Sequence, residues 1–138
     1  RVGPAICYEG LYGDFFGDFV RRGAQFMAII SNDGWWGDTP GYKHLFTISR
    51  LRAIEHRRAI ARSANTGMSG FISARGDVGQ TLGWEKRGVI TAAVPLNSEL
   101  TFYTRYGDYL GRISEYLMLL CVLYYVAYRV RKKNHLVK

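Results

Sequence analysis

The stretch "QFMAIISNDGWWGD", Gln25–Asp38, joins an almost wholly apolar run to a polar run rich in glycine. A short apolar run of this kind predicts a β-strand that is covered on both faces, as in parallel sheets. The glycines, asparagine and aspartates that follow predict a loop. The stretch therefore predicts a buried strand, Gln25–Ile30, with a polar loop at its carboxyl end.

The flanking sequence predicts strands and helices that first alternate and then give way to hairpins. Leu11, Phe15 and Phe19 lie on one face of a helix that ends before Gly23. The other predicted elements are a strand end at Ala5–Tyr8, this helix at Leu11–Arg22, a second helix at Tyr42–Arg58, and strands at Ala59–Ala64, Gly70–Ser73 and Gly88–Val94. This order predicts an α/β fold with a mixed sheet and helices packed on it.

Composition restricts the class of protein. A chain of 138 residues that is 48% apolar can form one domain with its own core. The net charge of +8 is concentrated near the C-terminus and in one predicted helix, without a nucleic-acid-binding motif, which argues against nucleic acid as a partner. The two cysteines, Cys7 and Cys121, predict no disulfide framework, and no histidine or cysteine pair has metal-ligand spacing.

The C-terminal region is different in character. Tyr116–Tyr128 holds thirteen residues without a charge, and extension to Leu110–Val130 makes the segment long enough to cross a bilayer. Tyrosines near its ends are typical of membrane interfaces, and the basic residues after it indicate the cytoplasmic side. We therefore expect a domain over residues 1–108, a transmembrane helix over 109–130 and a basic cytoplasmic tail over 131–138. The alternative is a buried or partner-facing C-terminal helix.

Cys7 lies where a predicted strand meets a predicted helix. Such a turn can present a thiolate beside backbone N–H groups that stabilise an oxyanion. The alternative, a buried structural cysteine, is favoured by the local context alone. His44 and His56 follow Cys7 in the chain, but their helical context favours packing or surface roles over a Cys-His dyad.

Four motifs occur together in register: "ICYE" at Ile6–Glu9, "SNDGWWGD" at Ser31–Asp38, "RAIEHRRAIARSANTGMSG" at Arg52–Gly70 and "TFYTRYGD" at Thr101–Asp108. With these motifs the chain resembles the C-terminal part of the apolipoprotein N-acyltransferase family, a membrane branch of the nitrilase superfamily. The resemblance covers nearly the whole chain. It implies an αββα sandwich followed by a C-terminal transmembrane helix.

The resemblance also implies site residues. Cys7 matches the cysteine of a Glu-Lys-Cys triad, Tyr8 would lend its backbone N–H to the oxyanion site, and Glu9 matches an important acidic position. The triad Glu and Lys are expected upstream of Arg1, so we expect the sequence to be part of a longer protein and to be inactive alone. The alternatives are a packed aromatic for Tyr8 and, for Glu9, an acid favoured by the helix dipole.

The loop after the Gln25–Ile30 strand supplies the predicted substrate pocket. Asn32 and Asp33 are expected to order this pocket by hydrogen bonds, and Trp35 and Trp36 to line an acyl-chain cleft or enter the membrane interface. Simple packing within the loop is the alternative.

The function implied by the resemblance is transfer of a fatty acyl chain from a phospholipid, through a Cys7 thioester, to the diacylglyceryl-modified N-terminal cysteine of an apolipoprotein. No metal or organic cofactor is expected. The implied location is the bacterial inner membrane, in a multi-pass protein with its catalytic domain on the periplasmic side. A membrane-tethered amidase and a catalytically dead, membrane-bound binding module are the alternatives.

Overall fold

The structure, a computed structural model, describes residues 1–136; nothing is described of the side chains of Trp36, Val130 and residues 133–138. Two compact units divide the chain, one from Arg1 to Gly107 and the other from Asp108 onwards. They are described separately.

The first unit is built on one five-stranded sheet. Its strands are β1 Val2–Ile6, β2 Phe26–Ser31, β3 Ile60–Ala64, β4 Ser69–Ile72 and β5 Val78–Leu82, in spatial order β1-β2-β3-β4-β5. The first three strands are parallel, and β4 and β5 add to them antiparallel. The helices of this unit are α1 Gly13–Arg21, α2 Pro40–His56 and the short α3 Phe102–Tyr106. The predicted mixed α/β sheet with helices is confirmed.

One face of the sheet carries the core. Phe16 and Val20 of α1 are buried in the same cluster as Met27 and Ile29 of β2, and each contributes roughly 1.5–3 kcal/mol through burial. The opposite face is open on β1 and β2, where Ile6 and its register partner Ile30 are 62% and 60% exposed. The helices therefore cover one side of the sheet only, and the prediction that the Gln25–Ile30 strand is covered on both faces is wrong.

The Cys7 region differs from its sequence prediction. Cys7–Leu11 forms a 3-10 turn, here called the Cys7 turn, and Tyr12 is extended, so that α1 begins only at Gly13. Cys7 and Tyr8 therefore follow β1 instead of ending it. Helix α2 begins close to its predicted start, because Pro40 occupies its first turn and the Thr39 hydroxyl accepts a hydrogen bond from the Gly41 N–H.

The predicted strand Gly88–Val94 is wrong, since this run is irregular in the structure. It has strand-forming residues, yet Val89 is 92% exposed and the run joins no ladder. The sequence pattern missed the strand that does pair with β4, which is β5, a polar and exposed edge strand. Strand formation depends on the neighbouring strand as much as on composition.

The second unit is the helix α4, Tyr109–Leu136. Its 21 residues Tyr109–Arg129 are long and apolar enough to cross a membrane, by length and composition, and no residue in the most apolar part of this segment is buried. At 1.5 Å per residue the segment is about 32 Å long. The helix continues into the predicted basic tail, of which positions 137 and 138 lie outside the described residues.

Candidate active site

Cys7 has an unusual backbone conformation directly after β1. Its φ is 51°, in the left-handed region that residues other than glycine rarely adopt. Such a conformation costs about 1–3 kcal/mol and persists only where the surrounding structure fixes it. The side chain is half-buried and its thiol is free. The predicted strand-to-helix presentation of Cys7 therefore has a strained turn as its structural basis.

Glu9 stabilises this turn by accepting two hydrogen bonds. One carboxylate oxygen, Oε2, accepts a hydrogen bond from the Ile6 N–H at 2.7 Å, and the Glu9 carbonyl accepts one from Tyr12. Tyr8 lies between Cys7 and Glu9 with its side chain 44% exposed. Because the first N–H groups of a helical turn have no partner within it, the Tyr8 N–H can point at a ligand. The structure thus brings Cys7, Tyr8 and Glu9 together in one turn.

The second predicted group lies on the tryptophan loop, residues 32–39, which follows β2. The Asn32 side chain accepts from the Gly34 N–H at 3.2 Å and so caps the short 3-10 turn Asp33–Trp36. Trp35 is 81% exposed. The side chain of Trp36, predicted as a pocket residue, lies outside the described part of the structure. Asn32 therefore stabilises the conformation of the loop, while the Trp35 side chain is exposed on its surface.

Asp33 forms a buried ion pair that the sequence analysis did not predict. Its two carboxylate oxygens each accept from Nη2 of Arg62 at 2.8 Å, and the Ser31 hydroxyl donates to Asp33 at 2.5 Å. The side chains of Arg62 and Asp33 are 2% and 0% exposed. The signal in the sequence was an arginine alternating with apolar residues in β3, because a charge buried in a sheet needs a partner.

The same ion pair joins two loops. The Arg62 Nε also donates to the Met68 carbonyl at 3.2 Å, and a side chain at Gly67 would collide with Asp33. The pair therefore holds the tryptophan loop against the turn that follows β3. We call Asp33, Arg62 and Ser31 the charged cluster.

The Cys7 turn and the tryptophan loop lie at the same sheet edge, the one formed by the carboxyl ends of the parallel strands. Strands β1 and β2 are parallel, and Ile6, the last residue of β1, pairs with Ile30. The residues that follow these strands therefore leave the same edge side by side. Two clefts of about 240 and 360 Å³ are lined instead by β2–β5 and the segment 88–95, and neither is lined by a predicted site residue whose side chain the structure describes.

His56, the last residue of α2, is completely buried near the start of α1. Its Nε2 lies 3.0 Å from the Gly13 carbonyl and its Nδ1 lies 2.8 Å from the Thr104 hydroxyl. Its ring stacks on Phe16. The pKa of His56 is lowered to about 4, chiefly by burial and further by the charges of Arg52, Arg21 and Arg58; the hydrogen bond to Gly13 acts in the opposite direction. The imidazole is therefore neutral near pH 7.

Residues 101–107, here called the latch segment, pack beside His56. The Thr101 hydroxyl donates to the Glu55 carbonyl at 2.6 Å, and Arg21 donates to the Thr104 carbonyl at 2.7 Å. Together with the Thr104 contact to His56, these bonds tie the segment to both α1 and α2. His56, Thr101 and Thr104 form the neutral cluster, whose members hold the latch segment on the core.

Comparison with known proteins supplies the family. The carbon-nitrogen hydrolase model matches residues 1–100, which include both loops at the sheet edge. The chain belongs to this family. In structure it is similar to the NitFhit protein of C. elegans, with a TM-score of 0.54 and 26% identity over 61% of this chain and 22% of that one. A nitrilase-superfamily protein of Saccharomyces cerevisiae has the same fold, with a TM-score of 0.55 and 20% identity over 62% of this chain and 34% of that one.

The curated relatives are more specific. An apolipoprotein N-acyltransferase of Chlorobaculum tepidum is 45% identical over 108 residues, which are 78% of this chain and 20% of that protein. One from Bdellovibrio bacteriovorus is 37% identical over 126 residues, 89% of this chain and 22% of that protein. The chain thus spans about a fifth of the length of these relatives. The resemblance found in the motifs is confirmed.

Proposed function

We propose that this chain is part of a bacterial membrane N-acyltransferase that moves a fatty acyl group from a phospholipid to the N-terminal diacylglyceryl-cysteine of an apolipoprotein. The observation that carries the proposal is the strained Cys7 turn at the sheet edge, next to the tryptophan loop, in a chain 45% identical to an apolipoprotein N-acyltransferase. An apolar helix that can cross a membrane suits a lipid substrate.

In the first half-reaction the Cys7 thiolate attacks the ester carbonyl of the phospholipid. A C–S bond forms, the C–O bond breaks, and the released lysophospholipid oxygen takes a proton. The negative charge that develops on the carbonyl oxygen is stabilised by N–H groups of the turn, including that of Tyr8.

In the second half-reaction the free α-amine of the apolipoprotein attacks the thioester. A C–N bond forms, the C–S bond breaks, the amine loses a proton and the Cys7 thiol is restored. Splitting the transfer in this way makes two easier steps from one. The base and the lysine of the triad are assigned to no residue of this chain.

Glu9 and the tryptophan loop have separate roles in this scheme. Glu9 holds the turn that carries the reacting thiol in shape, because its carboxylate accepts a hydrogen bond from the Ile6 N–H. Asn32 and Asp33 keep the loop in place, and the exposed Trp35, with Trp36, receives the acyl chain. Helix α4 anchors the domain, with the basic end on the cytoplasmic side and the catalytic domain on the periplasmic side.

The experiment uses the full-length protein in membranes supplied with phospholipid that carries a labelled acyl chain. We expect acyl label on the enzyme in a bond that hydroxylamine cleaves, and transfer of that label to an added diacylglyceryl lipopeptide. Cys7→Ala should abolish both signals, and Cys121→Ala, the matched control on the exposed helix, should abolish neither. Label that survives Cys7→Ala contradicts the mechanism. Label that is released as free fatty acid and never reaches the lipopeptide supports the amidase alternative, in which water hydrolyses the thioester.

A further inference from the structure

The strained Cys7 conformation needs a support on each side of the turn. On the upstream side, β1 is fixed by its ladder with β2 up to Ile6. On the downstream side, the Tyr12 N–H donates to the Glu9 carbonyl, the Tyr12 carbonyl accepts from Phe16, and α1 begins at Gly13. The contacts that hold Gly13 therefore fix the start of α1, to which the downstream end of the Cys7 turn is bonded.

Gly13 is held by side chains from outside its own helix. Its carbonyl accepts from His56 at 3.0 Å, and a Cβ at this position would collide with the Arg52 guanidinium and the Tyr103 hydroxyl. Because a carbonyl can only accept, the proton of the neutral imidazole is on Nε2, and Nδ1 accepts from the Thr104 hydroxyl. His56 thus has one bond to the start of α1 and another to the latch segment.

We infer that His56 is a positioning residue for the reacting thiol, acting through its Nε2–H bond to the Gly13 carbonyl. The bond fixes the downstream end of the Cys7 turn and thereby keeps the thiol and the N–H groups after it in register with an acyl carbonyl. This inference rests on the proposed function in taking Cys7 as the reacting group. The bond of Nδ1 to Thr104 serves the fold and not the turn.

Two substitutions separate the two bonds of His56. The amide nitrogen of glutamine can reach the place of Nε2, so His56→Gln keeps a donor towards Gly13 and loses the Thr104 contact. Asparagine reaches only the place of Nδ1, so His56→Asn keeps a partner for Thr104 and loses the Gly13 bond. Each variant loses one buried hydrogen bond, and we expect similar decreases in melting temperature.

The reactivity of Cys7 should respond differently from stability. In the full-length protein, the alkylation rate of Cys7 by iodoacetamide is measured by mass mapping of its peptide, beside kcat and KM for acyl transfer. We expect about a tenfold loss of alkylation rate and of kcat in His56→Asn, with KM unchanged, and values near wild type in His56→Gln. His44→Asn, at an exposed histidine of the same helix, is the control and should change none of them.

The outcomes are decisive in both directions. The inference is overturned if the Cys7 alkylation rate falls by the same factor in His56→Gln and His56→Asn, in parallel with their melting temperatures. It is also overturned if the rate changes in neither variant. In both cases His56 is a packing residue only. Alkylation rates that split as expected while no acyl label ever reaches Cys7 support the positioning role and refute the proposed acyl transfer.

Discussion

The charged cluster and the neutral cluster both hold a loop on the core, the first through an ion pair and the second through hydrogen bonds between uncharged groups. Both bury polar side chains and join a loop to the core, one through Asp33 and Arg62 and the other through His56 and Thr104. The charged cluster joins the carboxyl ends of β2 and β3, which are already neighbours in the sheet. The neutral cluster joins α1, α2 and the latch segment, which lie far apart in sequence. The neutral cluster should lose stability in acid, because burial lowers the pKa of its imidazole to about 4.

The largest expected effect comes from breaking the charged cluster. Arg62→Met leaves the Asp33 carboxylate buried without its cation, which should lower the free energy of unfolding by about 3–5 kcal/mol. Thermal unfolding of the purified full-length protein measures this loss.

The double variant Asp33→Leu with Arg62→Met removes both charges and is the matched control. It should be more stable than Arg62→Met alone, because no unpaired charge stays buried. A double variant less stable than Arg62→Met would show that the pair contributes mainly through its packing.

Acid should act on the neutral cluster. The pKa of His56 is about 4 in the folded protein and 6.5 in the unfolded chain. The stabilisation is therefore complete above pH 6.5 and is lost as the pH falls towards 4, by about 3 kcal/mol in total and roughly 2 kcal/mol at pH 5. Arg52, Arg21 and Arg58 oppose the new charge, and Tyr103 contacts the ring edge-on.

The control for acid is His56→Gln, which cannot take up that proton. Melting temperatures at pH 7 and pH 5 should converge between this variant and the wild type as the pH falls. Parallel decreases in both proteins would assign the acid response to other groups.

Local sequence patterns predicted most of the strands and helices, and long-range contacts changed only the residues at which these elements begin and end. The apolar run before Ser31 is a strand, and Cys7 does follow one, because a short apolar run that ends in polar residues and glycine is a clear local signal for a strand and its loop. The apolar run 88–94 has the same local signal without a partner strand, so it misled. Arg62 and His56 were not identified as site supports, since their partners lie 29 and 43 residues away in the chain.

The smallest expected effects on stability come from alanine substitutions at two glycines, one in contact with each cluster. At Gly67 an added Cβ would meet Asp33 at its Cβ, 2.5 Å away, and at its Cγ, 2.6 Å away. These are stem atoms of a side chain that Arg62 holds by both oxygens, so Gly67→Ala should cost about 1–3 kcal/mol. At Gly13 the atoms nearest to an added Cβ are the guanidinium of Arg52 and the hydroxyl end of Tyr103, which lie at the far ends of long side chains and can move.

Gly13→Ala should therefore cost less stability than Gly67→Ala, about 1 kcal/mol or below. It should nevertheless slow alkylation of Cys7, because Tyr103, which packs edge-on against His56, must move and thereby disturbs the bond between His56 and the Gly13 carbonyl. Gly67→Ala should show the reverse, a lower melting temperature with the Cys7 alkylation rate unchanged. Measured together, the two variants test whether the neutral cluster governs the thiol while the charged cluster governs the fold; equal alkylation rates in both would remove that distinction.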